Sequence, residues 1–182
     1  MKNQYVGDIN DYRKYDLLQI ISEELNEKIL VVWMLTQNDN KRDGGRIKYL
    51  NYPEKWKKYN KMLFDDLRNI VKSERSIKKI QEMPLFCNSD KFEFHSDYLE
   101  NGKTEREIYF KNVYEKSENA KIVFFDPDNG IAPHEKTTNR NKFLFWNEIE
   151  DIWNSGKNIL VFQYFPWFCN RENYTNNKIE SQ

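Results

Sequence analysis

The residues best equipped for chemistry sit in one short run, KIVFFDPDNGIAPHE, from Lys121 to Glu135. An apolar stretch stops abruptly at Asp126-Pro127-Asp128-Asn129-Gly130. Asp, Pro, Asn and Gly are turn formers by their own chemistry. The same residues can also present a reactive group at the carboxyl edge of a sheet. Further acids accompany them: Asp39 and Asp43 follow another apolar run, and Asp8 and Asp11 lie just ahead of a helix-like segment. Carboxylates gathered in one cleft repel each other unless a cation, an amine or a bound proton offsets them. A hard divalent ion such as Mg²⁺, which takes oxygen ligands and keeps waters, is one solution. Acids that cap helices and close turns at the surface are the plainer alternative. Asp126, fixed at the end of a buried strand, is the one whose placement points to function.

Other constellations carry weaker signals. Asp43-Gly44-Gly45 offers glycines that permit positive φ and close approach to the backbone, but neither G-x-G-x-x-G nor G-x-x-x-x-G-K occurs. A hairpin-like turn explains them equally well. The segment KRDGGRIKYLNYPEKWKKYNK interleaves Lys and Arg with Tyr49, Tyr52, Trp56 and Tyr59. That pattern suits phosphates and stacked bases, or an amphipathic helix with aromatics inward and lysines in water. His134 could act as a general base, whereas His95, on an alternating segment, reads as structural. No serine or cysteine is placed to complete a triad.

The elements that position these residues follow from periodicity. Tyr15, Leu18, Ile21 and Leu25 give a helix over Asp11–Leu25, capped by Asn10 or Asp11. ILVVWML reads as a strand buried on both faces. A helix is expected from Glu54 to Val71 with Trp56, Tyr59, Leu63, Leu67 and Ile70 inward, then a short helical piece over Ser76–Gln81. Phe92, Phe94 and Ser96 alternate as in a strand, and Lys103–Lys116 reads as a helix burying Ile108, Tyr109, Val113 and Phe110. KIVFF is a second buried strand. A helix over Phe145–Trp153, with Phe145, Ile149, Ile152 and Trp153 inward, stops at Gly156. NILVFQYF is a third buried strand. Strands alternating with helices predict an α/β fold with a mostly parallel sheet. Right-handed crossovers then place the loops after Leu35, Phe125 and Phe165 along one edge.

The 182 residues suit one domain, over 1–170, with a polar tail at 171–182. Charged residues make up 32% and cancel, with a pI near 6.8, so a generic polyanion binder with a basic excess is not expected. No apolar stretch reaches the roughly 18 residues of a membrane span, and the first residues lack a signal-peptide core, so a cytoplasmic protein is expected. Cys87 and Cys169 are isolated from each other in sequence and read as reduced thiols.

The stretch from Gly7 to Tyr15, GDINDYRKY, resembles the G-N-x-x-D-x-x-K-H segment that opens the ribosomal RNA adenine methyltransferases. Gly7, Asp11 and Lys14 match that pattern, while Asp8 stands for its Asn and Tyr15 for its His. VFFDPDNG resembles the D-P-P-Y motif of amino-methylating enzymes, and LVFQYFPW the W-Y-P strand that follows it. The chain also resembles a family of bacterial and phage proteins sharing G-D-x-x-D-[FY]-x-K-Y-x-L-L and D-P-D-N-G.

The methyltransferase resemblance implies a Rossmann-like domain that binds S-adenosylmethionine, with Asp126 and Pro127 at the target amine. Asp128 and Asn129 replace the motif's second Pro and its Tyr, which removes the stacking face. TQNDNKRDGG replaces the glycine-rich cofactor loop, and little chain remains for the last strands, so a minimal or truncated domain is expected. The leading expectation is a methyltransferase-like protein acting on or binding nucleic acid or a nucleotide. In it, Asp126, Pro127, Asp128 and Asn129 form the catalytic turn, and Gly7, Asp8, Asp11, Lys14, Asp43 and Gly44 contact the cofactor. The alternatives are a Mg²⁺-dependent phosphodiesterase with Asp126, Asp128 and Asp43 on the metal, and a non-enzymatic module that sequesters a nucleotide or blocks a protein.

Overall fold

The structure, a computed structural model, describes residues 1–39 and 44–163. Four strands, β1 (Ile29–Val32), β2 (Phe92–His95), β3 (Ile122–Phe125) and β4 (Asn158–Val161), form a wholly parallel sheet in the order β2-β1-β3-β4. The helices are α1 (Ile9–Leu25), α2 (Pro53–Trp56), α3 (Lys61–Lys72), α4 (Ile77–Gln81), α5 (Pro84–Cys87), α6 (Lys103–Ser117) and α7 (Trp146–Asn154). The result is the expected three-layer, Rossmann-like α/β fold. Every residue of the two central strands is buried. Ile29, Val31, Ile122 and Phe124 face the layer of α1 and α3 to α5, while Leu30, Val32, Val123 and Phe125 face α6 and α7. Such two-sided burial is why those strands read as unbroken apolar runs.

Aromatics supply much of the first layer. Tyr15 meets Trp33 edge-on at 5.7 Å, Trp33 stacks on Phe94 at 6.0 Å, and Tyr12, Tyr49, Trp56 and Phe64 form an adjoining cluster. Edge-on and offset contacts of this kind add to area burial.

The local exceptions have physical causes. α1 begins two residues before Asp11 because Asp8, rather than Asn10 or Asp11, is the cap, accepting from Asn10 N at 3.0 Å. Leu25, expected inward, is exposed. The helix expected over Glu54–Val71 is two, divided at Asn60, whose side chain caps α3 at Leu63 N and donates to Asp16 and Gln19 on α1. A short side chain offering the backbone a competing partner ends helices in this way. Tyr59, beside that break, faces solvent. The first strand is shorter than its apolar run because Met34 takes φ 46°, a conformation that costs a residue with a Cβ.

On the α6 layer, Ile108 is exposed and Arg106 is buried in its stead. Arg106 grips Glu148 of α7 through Nε at 2.5 Å and Nη2 at 2.8 Å, and donates to the carbonyls of Arg140 and Phe143. Glu148 also accepts from Phe145 N at 2.8 Å, capping α7. Trp153 is exposed, while Phe145 and Ile152 pack inward and Gly156 takes φ 81°.

Candidate functional site at the carboxyl edge of the sheet

Register brings the two buried strands to the same edge: Val32 lies beside Phe125, and Asp126 N donates to Val32 O at 3.0 Å. With β2 on one side of β1 and β3 and β4 on the other, the order reverses between β1 and β3. Open α/β sheets bind their ligands at such a switch point. Two charge networks meet there.

The first is centred on Lys14. Its ammonium, buried beneath α1, lies 2.6 Å from Asp126 Oδ2 and 2.8 Å from Asp11 Oδ1, and sits 4.7 Å from the centre of the Phe162 ring. Asp11 Oδ2 accepts from Gly7 N at 2.8 Å. Burial pushes Asp11 up to about 6; Asp126 adds to this, while Lys14 and the Gly7 N–H oppose it. Gly7 has φ 85°, and a Cβ there would run into Val71 of α3. Asp8 accepts from Arg46 N at 3.1 Å and from the Arg46 guanidinium at 3.2 and 3.3 Å. The resemblance-bearing N-terminal segment is therefore physically joined to the Asp126 turn.

The second network is centred on Asp128. Its Oδ2 accepts from Thr36 Oγ1 at 2.7 Å and lies 3.7 Å from Lys2 Nζ, which pairs with Asp39 at 2.6 Å. Asp128 Oδ1 lies 2.5 Å from the Met1 α-amino group. That amine also donates to Met34 O and Asp126 O at 3.1 Å, and Thr36 N returns a bond to Met1 O. Burial lowers the Met1 amine's affinity for its proton, against the pull of Asp128 and Asp126. For Lys2, burial works against the charge, but its bonds to Asp39 and Tyr5 raise it overall.

Of the other expected site residues, Pro127 is buried and Asn129 is exposed, its backbone N–H donating to Lys142 O. Gly44 offers its carbonyl to Arg75 Nη2 at 2.6 Å, a contact within the scaffold. Asp43 lies outside the described residues, as does the loop following Phe165. His134 is exposed, and His95 is fully buried with burial lowering it to about 4.

Beside the Lys14 network a cleft of about 480 Å³ opens between α1 and the end of β4. Its walls are Arg13, Leu17 and Asn10 of α1, Arg46, and Leu160, Phe162 and Gln163 from β4 onward, with Lys14 at its inner side. Arg13, Leu17 and Arg46 are exposed. The volume falls in the range of small-ligand sites.

Among the described residues, no three His, Cys, Asp or Glu side chains stand together as a metal-ligand group. Asp126 and Asp128 instead face amines of the chain itself. Between the ends of β1 and β3 the Met1 amine donates to Met34 O and Asp126 O.

No family model, curated protein or solved structure matches the chain. Sequence reasoning missed Lys2, Thr36, Arg13, Phe162 and Gln163 as members of the edge, and read Arg46 only as part of a basic, aromatic segment. Thr36 alone carried a signal, since it directly follows an apolar run at a strand's carboxyl end. The others arrive by topology. No helix among the described residues is long and apolar enough to cross a membrane.

Proposed function

We propose that the protein binds a nucleotide unit, free or within nucleic acid, in the cleft between α1 and the end of β4. The observation that carries this reading is the cleft's lining: two exposed guanidiniums, Arg13 and Arg46, the second also held by Asp8, beside the apolar side chains of Leu17, Leu160 and Phe162. Phosphate suits the guanidiniums, which present forked donors. A base suits the flat Phe162 ring, which Lys14 already approaches on one face. The Asp126 carboxylate, behind Lys14, can accept a hydrogen bond from an exocyclic amine if Lys14 shifts. Methyl transfer from adenosylmethionine would require the donor to displace Met1 or share the cleft, so nucleotide binding is the reading the geometry favours.

Calorimetric titration with the four ribonucleoside 5′-monophosphates, and separately with adenosylmethionine and with Mg²⁺, tests this. Micromolar binding of at least one monophosphate is expected. It should weaken at least about tenfold in Arg13→Ala, the scale of one charge-assisted hydrogen bond, and vanish in Leu17→Trp, which fills the cleft at an exposed position. Absence of monophosphate binding up to millimolar concentration refutes the reading.

A further inference from the structure

The basic, aromatic segment beyond Gly44 is not used by the cleft, apart from Arg46. Between Arg46 and Lys61 it carries six Lys or Arg residues against the single acid Glu54, in a chain whose total charge is zero. The fold sorts its aromatics into two kinds. Tyr49 and Trp56 are anchors: their rings lie 5.8 Å apart, and each packs against Tyr12 of α1. The Tyr12 hydroxyl donates to Trp56 O at 2.9 Å, and Asn60 N donates to that hydroxyl. Tyr52 and Tyr59, in contrast, are 49% and 65% exposed.

Two packed anchors thus hold two exposed rings on a short platform. Lys55 sits 5.3 Å from the Tyr52 ring centre and Lys58 sits 5.1 Å from that of Tyr59. Lys57 pairs with Asp65 instead. The platform flanks α1 at Asp16 and Gln19, through Asn60, while the cleft opens along Asn10, Arg13 and Leu17 of the same helix. Arg13 stands on α1 between the two.

We infer that this platform is a docking surface for single-stranded nucleic acid, with the strand running from the cleft past Arg13 and Arg46 onto Tyr52 and Tyr59. The inference rests on the cleft reading and extends it from a nucleotide unit to a polymer. Exposed aromatic faces stack on any base, and lysines beside them neutralise the phosphates between stacked bases. An unpaired strand is required, because bases stacked within a duplex offer no free face to a tyrosine.

The test is fluorescence-anisotropy binding of labelled 15-nucleotide oligo(U) and oligo(dT), with a duplex of equal length and with monophosphate competition. Single strands should bind at least about tenfold more tightly than a monophosphate or the duplex. Tyr52→Ala and Tyr59→Ala should each weaken oligonucleotide binding by about fivefold or more, leaving monophosphate binding unchanged. Both sites are exposed, so these variants should fold. Neutralising Lys55 and Lys58 should make log K fall less steeply with log salt, by roughly 0.7 for each phosphate no longer neutralised.

Equal binding of monophosphate and oligonucleotide, indifferent to Tyr52 and Tyr59, overturns the platform and leaves the cleft reading standing. Oligonucleotide binding that needs the tyrosines but not Arg13 or Leu17 supports the platform and sinks the cleft. Binding to anionic phospholipid vesicles in place of any oligonucleotide overturns the inference in favour of a lipid surface.

Discussion

Replacing Lys14 with Met is the most informative perturbation of the edge. Met keeps most of the side-chain length and removes the ammonium that now lies within 2.8 Å of both Asp11 and Asp126. Both carboxylates are 2% exposed, so water cannot replace the missing partner. Removing one member of a buried ion pair typically costs about 3–5 kcal/mol, because the remaining charge is left uncompensated. For a domain of ordinary stability, about 5–15 kcal/mol, that is a large share.

Urea unfolding at pH 7.5, followed by tryptophan fluorescence, to which buried Trp33 contributes, measures it. With a urea slope of about 2 kcal/mol/M, the midpoint should fall by roughly 1.5–2.5 M. Lys14→Met with Asp126→Asn removes one of the two stranded charges and should recover about half the loss, a non-additivity of at least about 1.5 kcal/mol. At pH 5 the loss should shrink further, since Asp11 then takes a proton. A single variant costing under about 1 kcal/mol, or a strictly additive pair, would refute the idea that Lys14 holds two buried charges together.

Asp11 and His95 should impose opposite pH slopes. Asp11 is raised to about 6 from 3.8, so its stabilising share is complete below pH 3.8 and is lost as pH rises through 6, about 3 kcal/mol in all. His95 is lowered to about 4 from 6.5, so its share is complete above pH 6.5 and is lost as pH falls through 4, again about 3 kcal/mol. Between pH 4 and 6 the two nearly cancel. Asp11→Asn should expose a curve that rises with pH and His95→Leu one that falls, both readable from urea midpoints at half-unit steps. Gly7→Ala, which combines positive φ with a collision against Val71, should cost about 2–4 kcal/mol by the same assay. Glu148→Ala, which strands buried Arg106 and uncaps α7, should cost about 3–5 kcal/mol and lower the thermal midpoint correspondingly.

The fold was legible because its two central strands are buried on both faces, a condition written directly into ILVV and IVFF. The run at Asn158, expected to be buried as well, forms the edge strand β4 instead, with Asn158 exposed and the other three residues half-buried. Parallel order then required Asp126 to emerge beside the end of β1. What remained hidden is long-range. Nothing in the periodicity of Glu54–Val71 announces that Asn60 will cap α3 and brace Asp16. Nothing near Lys14 says its partner lies at Asp126, 112 residues further along the chain. Of the aspartates read as a set, Asp11 and Asp126 meet at Lys14 and Asp39 and Asp128 meet at Lys2, while Asp43 lies outside the described residues. The compensation comes from Lys14, Lys2 and the Met1 amine, and amines are too common in this chain to single out in advance. Ile108 and Trp153 were expected inward on apolarity alone, and the buried Arg106–Glu148 pair takes the space between α6 and α7.

Gly130 ties the two halves of the edge mechanically. It has φ 83°, and a side chain there would strike the Gln163 amide, whose Oε1 accepts from Ile131 N at 2.8 Å. Gln163 is also a wall of the cleft. Any guest that draws Gln163 toward itself must loosen its grip on Ile131, and the slack passes to the segment bearing Asp126 and Asp128. Amide hydrogen exchange at Ile131 would thus serve as a built-in gauge of occupancy, readable without knowing which compound has arrived.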